Sequence, residues 1–296
     1  MNERETPLVS VVIPTYNHGD YLGRALQSVL DQTYPRWEVI VIDNYSTDNT
    51  DTVIVSFADP RITYLKINNN GVIAASRNAG IRAAKGEWIA FLDSDDWWTN
   101  DKLEACLSSI NDEVDFVYHD LERVSDQAQP FRLQLIKSWQ VNSPVIIDLL
   151  INGNPIATSS VVVRVKILKQ LNGMRELTNM VAAEDYNTWL RIAKLTEHFV
   201  YLPRKLGYYL LHNQSISNKD MSVPTSYAID EFLCMLNKQQ KNKVQANIKY
   251  TSGRFNFLAG NIATANKNLR FSLRYGRALI KIKSAIMIII GCYHCD

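Results

Sequence analysis

The sequence predicts an α/β fold: a doubly wound, mostly parallel sheet with helices on both faces, followed by a helical C-terminal extension. Three observations predict it. Short apolar runs at residues 8–13, 37–42, 62–66 and 88–92 have the length and composition of buried strands. Segments with helical spacing separate them, and this alternation implies parallel strands joined by crossover helices. Polar clusters follow three of the four runs, at the strand ends where such sheets bind ligands.

The elements follow in order. Residues 8–13 are rich in β-branched side chains and stop at Pro14. Residues 19–32 place Leu22, Ala25, Leu26, Val29 and Leu30 on one helical face. A second strand (37–42), a helix (48–58) and a third strand (62–66) come next. The Ala-rich helix 72–85 is closed by Gly86, a C-terminal stop signal. Residues 88–92 form the fourth strand. After a strand-like stretch at 115–120 the alternation fails, and 130–154 reads as a mixed connector. A strand at 159–163, a short helix at 164–171 ending at Asn172-Gly173, and a helix at 182–195 follow. Residues 200–202 and 206–211 read as two strands around a turn at Pro203, and helix is predicted from Val223 to the end. The expected division is an α/β domain at 1–217 and a helical extension at 218–296.

Composition narrows the function classes. The chain opens on polar residues rather than a secretory signal, and no apolar stretch reaches the ~18 residues that span a bilayer. A cytoplasmic location is expected, with Cys106, Cys234, Cys292 and Cys295 as reduced thiols. Cys292 and Cys295 have C-x-x-C spacing around His294, but no second pair exists to close a zinc site. Net charge is only +2, yet six bases and one acid fall in residues 260–296. Lys267, Arg270, Arg274, Arg277 and Lys281 recur at 3-4-3-4 spacing, which on one helix makes a basic stripe beside Leu279, Ile282, Ile286, Ile289 and Ile290. Such a helix suits peripheral attachment to an anionic membrane surface, at its inner face. Nucleic acid is not expected, since the tail has little aromatic interleaving and no recognisable module.

Asp93-Ser94-Asp95-Asp96 carries the chemistry. Three carboxylates within four residues at a strand end are unfavourable without compensation. Hard oxygen ligands in this arrangement suit Mg²⁺ or Mn²⁺, which commonly also hold substrate phosphates. The alternative is an acidic turn in which Asp96 or Asn100 caps a helix over 101–111.

Four segments, VSVVIPTYNHGDYLGRALQSVLDQTYPRWEVIVIDNYSTDNT, GVIAASRNAGIRAAKGEWIAFLDSDDWW, AAEDYNTWLRIA and YYLLHNQSIS, resemble the family 2 glycosyltransferases in order and spacing over roughly residues 8–217. The resemblance implies the GT-A fold, a nucleotide-diphosphate-sugar donor, a divalent metal and inverting displacement at the anomeric carbon. It places Pro14, Thr15 and Tyr16 at the base, with Tyr16 available for stacking. Asp43-Asn44 matches a pair that is often Asp-Asp, so uridine is favoured while thymidine and guanosine stay open. Arg77 and Ser94 fall on the donor side. Asp93 matches a position near ribose and metal, and Asp95 the direct metal ligand. His212 matches a position near metal or diphosphate; an Arg common in that segment is Leu210 here. Glu184-Asp185 matches the acidic pair whose Asp is the general base, with Glu184 and Trp189 on the acceptor side. His18 and His119 have no such match. A glycan or polyprenyl-linked acceptor is implied.

Two other functions compete. A catalytically silent nucleotide-sugar-binding module would not need Asp93, Asp95 and Asp185 together. A nucleotidyltransferase would show a basic, Gly-rich loop after the first strand, and residues 14–19 contain neither Lys nor Arg.

Overall fold

The computed structural model describes residues 6–125, 134–212 and 219–293. Residues 213–217 of the last matched segment, and His294 and Cys295 of the C-x-x-C, lie outside the described residues.

The chain runs β1 (Val9–Thr15), α1 (Gly19–Leu30), β2 (Trp37–Asp43), α2 (Thr50–Phe57), β3 (Ile62–Lys66), α3 (Ile73–Ala83), β4 (Trp88–Phe91), β5 (Trp97–Trp98), α4 (Lys102–Ser108), β6 (Phe116–Ser125) and β7 (Gln134–Ile136). It continues with α5 (Val145–Asn152), β8 (Val162–Arg164), α6 (Val165–Gln170), α7 (Glu184–Ala193), β9 (Phe199–Leu211), α8 (Ser222–Ile229), α9 (Lys238–Leu258), α10 (Ile262–Tyr275) and α11 (Ala278–Tyr293). It divides into two compact units. One comprises residues 1–141, 155–176 and 191–213; the other comprises 142–154, 177–190 and 214–296. The second unit therefore takes α5 and most of α7 in addition to the C-terminal helices.

The first unit holds the sheet, in the order β3-β2-β1-β4-β8-β6-β9-β5, with β7 on β6. Strands β3, β2, β1 and β4 are parallel, as the alternation predicts. Beyond β4 the sheet is mixed: β8 is antiparallel to β4 and β6, while β9 runs parallel to β6. Every residue of β1 is buried, which is why its sequence is mostly apolar on both faces, with only Ser10 and Thr15 polar. Leu22, Ala25, Leu26 and Val29 of α1 are fully buried against that face. On α3, a Cβ at Gly80 would sit 2.5 Å from Val12 Cγ1 and 2.9 Å from Ile42 Cδ1. Glycine there lets the helix lie close on the sheet, and Arg77, one turn earlier, shares its face.

Two sequence expectations change. The strands at 200–202 and 206–211 are one strand, β9. Its pairing with β6 jumps from His119↔Leu202 to Asp120↔Lys205, so Pro203 and Arg204 form a bulge. A proline cannot donate to the ladder, and a bulge removes that requirement. The C-terminal basic residues do not lie on one helix. Gly276 separates α10 from α11, and a Cβ there would meet Ser272 O at 2.5 Å and Ile280 Cγ2 at 2.9 Å. Lys267, Arg270 and Arg274 are on α10, and Lys281 and Lys283 on α11. Arg277 sits between and donates to Asn152 Oδ1 at 3.3 Å.

Asp96 does not cap a helix. Its side chain is buried, 1 % exposed, and α4 begins after Asp101 without a side-chain cap bond. Asp96 Oδ2 accepts from Ser159 Oγ at 2.5 Å and Oδ1 from Leu210 N at 3.1 Å, while Ser159 Oγ accepts from Asp93 N at 3.1 Å. One carboxyl thus joins the end of β4, the 3₁₀ turn Thr158–Ser160 and the end of β9. Burial, and then the charges of Asp95 and Asp93, raise its pKa well above 3.8. A carboxyl raised in the folded state favours folding most below its unfolded value and progressively less as pH rises above it. Asp96→Asn is therefore expected to melt at or above the wild-type temperature, with a gain that is larger at pH 8 than at pH 5. Asp96→Ala strands two buried donors and is expected to lose about 1–3 kcal/mol. Melting curves of both variants across pH check this, and an Asn variant as unstable as the Ala variant contradicts it.

Candidate active site

The carboxyl ends of β1, β2 and β4 assemble one polar edge within the first unit. Thr15 pairs with Asp43 across β1 and β2, and Asn44 N donates to Thr15 O at 3.0 Å. Asn17 and Tyr45, just past these strands, have φ of 51° and 54°. Such left-handed backbone in residues other than glycine is uncommon and clusters where function holds it.

Asp43 is fully buried, and both carboxylate oxygens are engaged. They accept from Ser46 N at 3.0 and 3.1 Å, from Ser46 Oγ and from Tyr64 OH at 2.9 Å, with Lys66 Nζ at 4.0 Å. Asp43 thus sets the turn that carries Asn44 and Tyr45. Asn44 Oδ1 accepts from Asn69 N at 2.9 Å, which fixes the amide. Tyr16 is 53 % exposed and offers an open ring face. Thr15 Oγ1 is buried with no hydrogen-bond partner among the described residues, which marks it for a ligand. Pro14 pairs with Ile42 inside the sheet and holds Thr15 at the strand end.

The acidic run splits into three environments. Arg77 is 3 % exposed and donates from Nη2 to Asp93 Oδ1 at 2.7 Å; it is a buried partner rather than a solvated helix charge. Ser94 is buried, and its Oγ lies 2.8 Å from His18 Nδ1. His212, directly after β9, is 9 % exposed, and its Nε2 lies 3.0 Å from Asp95 Oδ2. Asp96 holds the strands together as described. Arg24 extends over the Trp97 ring at 3.5 Å and reaches Asp95 O at 3.4 Å.

His18, to which the sequence assigned no role, lies at the same polar edge. Its ring meets His212 edge-on at 5.8 Å and Tyr21 at 5.5 Å, and Tyr21 lies 5.0 Å from His212. Burial, partly offset by the charge of Asp95, lowers its pKa below 6.5, so neutral imidazole is favoured. The available signal was its place in the polar cluster after β1. His119, by contrast, is fully buried, with a pKa pushed down to about 3 by desolvation, and belongs to the core.

Asp95 and His212 are the pair best suited to a divalent cation. Among the described residues, no group of three or more His, Cys, Asp or Glu has metal-binding geometry. The pair still fits Mg²⁺ or Mn²⁺, which bind through few protein ligands plus substrate phosphates and water.

The second unit carries the other predicted acids. Asp185, half-buried at the start of α7, accepts from Tyr186 N at 2.6 Å. Glu184 is 4 % exposed, and its backbone carbonyl accepts from Thr188 Oγ1 at 2.7 Å. Trp189 corrects an expectation. It is fully buried, on the same inward face as Leu190, Ile192 and Ala193, so it presents no surface to an acceptor.

The model of the family described as "Glycosyl transferase family 2" matches residues 10–171. TuaG of Bacillus subtilis (strain 168), named for teichuronic acid biosynthesis as a glycosyltransferase, is 31% identical over 215 residues, covering 72% of this chain and 82% of its own. WfgD of Escherichia coli, a UDP-Glc:α-D-GlcNAc-diphosphoundecaprenol β-1,3-glucosyltransferase, is 31% identical over 188 residues, covering 63% and 70%. The fold matches Staphylococcus aureus TarS 1–349 in complex with UDP-GlcNAc, with a TM-score of 0.63 at 20% identity over 96% of this chain and 89% of that one. It also matches the mannosyltransferase PcManGT of Pyrobaculum calidifontis, solved with GDP-Man and Mn²⁺, with a TM-score of 0.62 at 18% identity over 97% and 81%. The sheet is of the GT-A type, and the chain is a glycosyltransferase that belongs to glycosyl transferase family 2.

Proposed function

We propose that the enzyme transfers a sugar, with inversion, from a nucleoside diphosphate donor to a hydroxyl of a polyprenyl-diphosphate-linked glycan, with UDP favoured over other carriers. The observation that carries this reading is Asp95 Oδ2 and His212 Nε2 at 3.0 Å, in the same acidic run whose Asp93 pairs with the buried Arg77. The UDP-GlcNAc bound to TarS, which shares the fold, supports a UDP-sugar donor; the GDP-Man bound to PcManGT keeps guanosine open. The polyprenyl acceptor is supported by the name of WfgD.

In this reading Tyr16 stacks on the base and Thr15 Oγ1 takes a donor hydrogen bond. Asn44 sets the base edge. Asp95 and His212 hold Mg²⁺ or Mn²⁺, with Asp93 oriented nearby by Arg77. A bound cation offsets the charge that builds on the departing diphosphate. Asp185 removes the proton of the acceptor hydroxyl, and the oxygen displaces the diphosphate from the opposite face, which inverts the anomeric centre.

Asp185→Asn keeps the shape and cannot accept a proton. It is expected to bind donor and to lose about 10²–10⁴-fold in turnover. Single-turnover kinetics with UDP-sugars measure the loss, and NMR of the wild-type product is expected to show inversion. Near-normal turnover removes Asp185 from the base role, and retention excludes direct displacement.

A polyprenyl acceptor places the reaction at the cytoplasmic face of a membrane, and the last two helices suit that surface. Leu273, Leu279, Ile282, Ile286, Ile289 and Ile290 are exposed beside Lys267, Arg270, Arg274, Lys281 and Lys283. Among the described residues, no helix is long and apolar enough to cross a membrane. Each exposed base near anionic lipid contributes about 1 kcal/mol, screened within about 8–10 Å at physiological salt. Flotation with phosphatidylglycerol vesicles is expected to show binding that weakens with salt and is lost when Arg270, Arg274, Lys281 and Lys283 become Gln. Binding unchanged by these substitutions, or absent at low salt, contradicts attachment.

A further inference from the structure

His18 is half-buried at the start of α1, with its Nδ1 2.8 Å from the Oγ of the buried Ser94. We propose that His18 donates a hydrogen bond from Nε2–H to the diphosphate of the sugar donor, and that Ser94 holds it in the tautomer this requires. The proposal rests on the transferase reading above. It adds to the donor side a histidine to which the sequence assigned no role.

The Ser94 hydroxyl fixes where the imidazole proton sits. Among the described residues, His18 Nδ1 is the one hydrogen-bond partner of Ser94 Oγ. A buried hydroxyl gives its proton to an acceptor in reach, and here that acceptor is Nδ1. Were the hydrogen on Nδ1 instead, the Ser94 proton would be buried without an acceptor. Nδ1 therefore accepts, and the hydrogen is on Nε2. Nε2 has no hydrogen-bond partner among the described residues, so its N–H is left for a ligand. The same tautomer keeps His18 out of the cation site, because a protonated ring nitrogen has no lone pair to offer a metal.

Position points to the diphosphate as the acceptor of this bond. The His18 ring meets His212 edge-on at 5.8 Å, and His212 Nε2 lies 3.0 Å from Asp95 Oδ2, the pair suited to the cation. A diphosphate held by that cation would face the carboxylates of Asp93 and Asp95, so N–H donors are needed at its other oxygens. The ring is also held in place before any ligand arrives. His18 O accepts from Tyr21 N at 3.0 Å and Leu22 N at 2.9 Å, and Tyr21 packs edge-on against the imidazole at 5.5 Å. The preceding Asn17 is tied to the turn after β2: its N donates to Ser46 Oγ at 2.8 Å, and its Oδ1 accepts from Thr47 N at 2.8 Å. A donor fixed in this way loses little freedom on binding.

The test separates the nitrogens from the ring. His18→Phe keeps the aromatic packing against Tyr21 and His212 and removes both nitrogens, whereas His18→Gln keeps an N–H donor at similar reach. Calorimetry reads the binding of UDP, GDP and uridine, each with EDTA and with Mn²⁺, to variants whose melting curves show them folded. His18→Phe is expected to weaken UDP by roughly tenfold to a hundredfold, the loss of one hydrogen bond to a charged group, and by the same factor with EDTA and with Mn²⁺. Uridine, which lacks the diphosphate, is expected to bind unchanged, and His18→Gln to recover most of the loss. Long-range ¹H–¹⁵N NMR of the wild type, which needs no variant, is expected to show the hydrogen on Nε2. Wild-type UDP affinity in His18→Phe, a Gln variant no better than Phe, an equal loss for uridine, or a hydrogen on Nδ1 alone overturns the assignment while the donor reading stands. A loss confined to Mn²⁺ makes His18 a metal ligand and overturns it as well. A wild type that binds neither UDP nor GDP ends the donor reading itself, and this assignment with it.

Discussion

Three carboxylates stand within four residues at the end of β4, and the arrangement of the first unit follows from how each is compensated. Like charges this close repel strongly once water is partly excluded. Asp93 is answered by a buried guanidinium from α3, Asp95 by an imidazole from the end of β9, and Asp96 by burial that favours its neutral form and two hydrogen bonds. Asp93 recruits α3, Asp95 the end of β9, and Asp96 both the 3₁₀ turn and β9. The helix, the 3₁₀ turn and the end of β9 are therefore fixed around one short turn.

The same edge shows why some polar residues are scaffold and others are available to a ligand. Asp43 spends both oxygens on Ser46 and Tyr64 and has none left to offer. Its effect on a donor is indirect, through the position of Asn44 and Tyr45. Thr15 and Tyr16 are the reverse case: one carries a buried hydroxyl without a protein partner, the other an uncovered ring. A broken pair at Arg77–Asp93 would leave the buried guanidinium without its carboxylate, a costly defect that gives this contact a structural role.

The parallel half of the sheet was legible because β1, β2 and β4 are buried almost throughout and the first crossover helix carries its own periodicity. Val9 to Thr15 and the Leu22–Val29 face of α1 are local patterns that need no tertiary context. The bulge that absorbs Pro203 was not legible, since a proline between two apolar runs reads first as a turn. The break at Gly276 was missed for a related reason: basic spacing continues through it, and only packing against Ser272 and Ile280 shows that the helix ends. Motif order singled out Asp95, His212 and Arg77, and the structure pairs Asp95 with His212 and Arg77 with Asp93. His18 carried no signal of its own, because a single histidine acquires meaning only when the fold brings Ser94 and His212 against it. Trp189 was misplaced because a motif position does not reveal which side of a helix is buried.

The central claim is that Asp95 and His212 form a divalent-cation site that binds the donor's diphosphate. Calorimetric titration of UDP into the protein, with Mn²⁺ and with EDTA, tests it most directly. The account predicts that Mn²⁺ tightens UDP binding in the wild type, and that this coupling is lost in Asp95→Ala and weakened in His212→Ala, while both variants keep the wild-type fold by circular dichroism. Equal UDP affinity with Mn²⁺ and with EDTA, or undiminished coupling in Asp95→Ala, would contradict it.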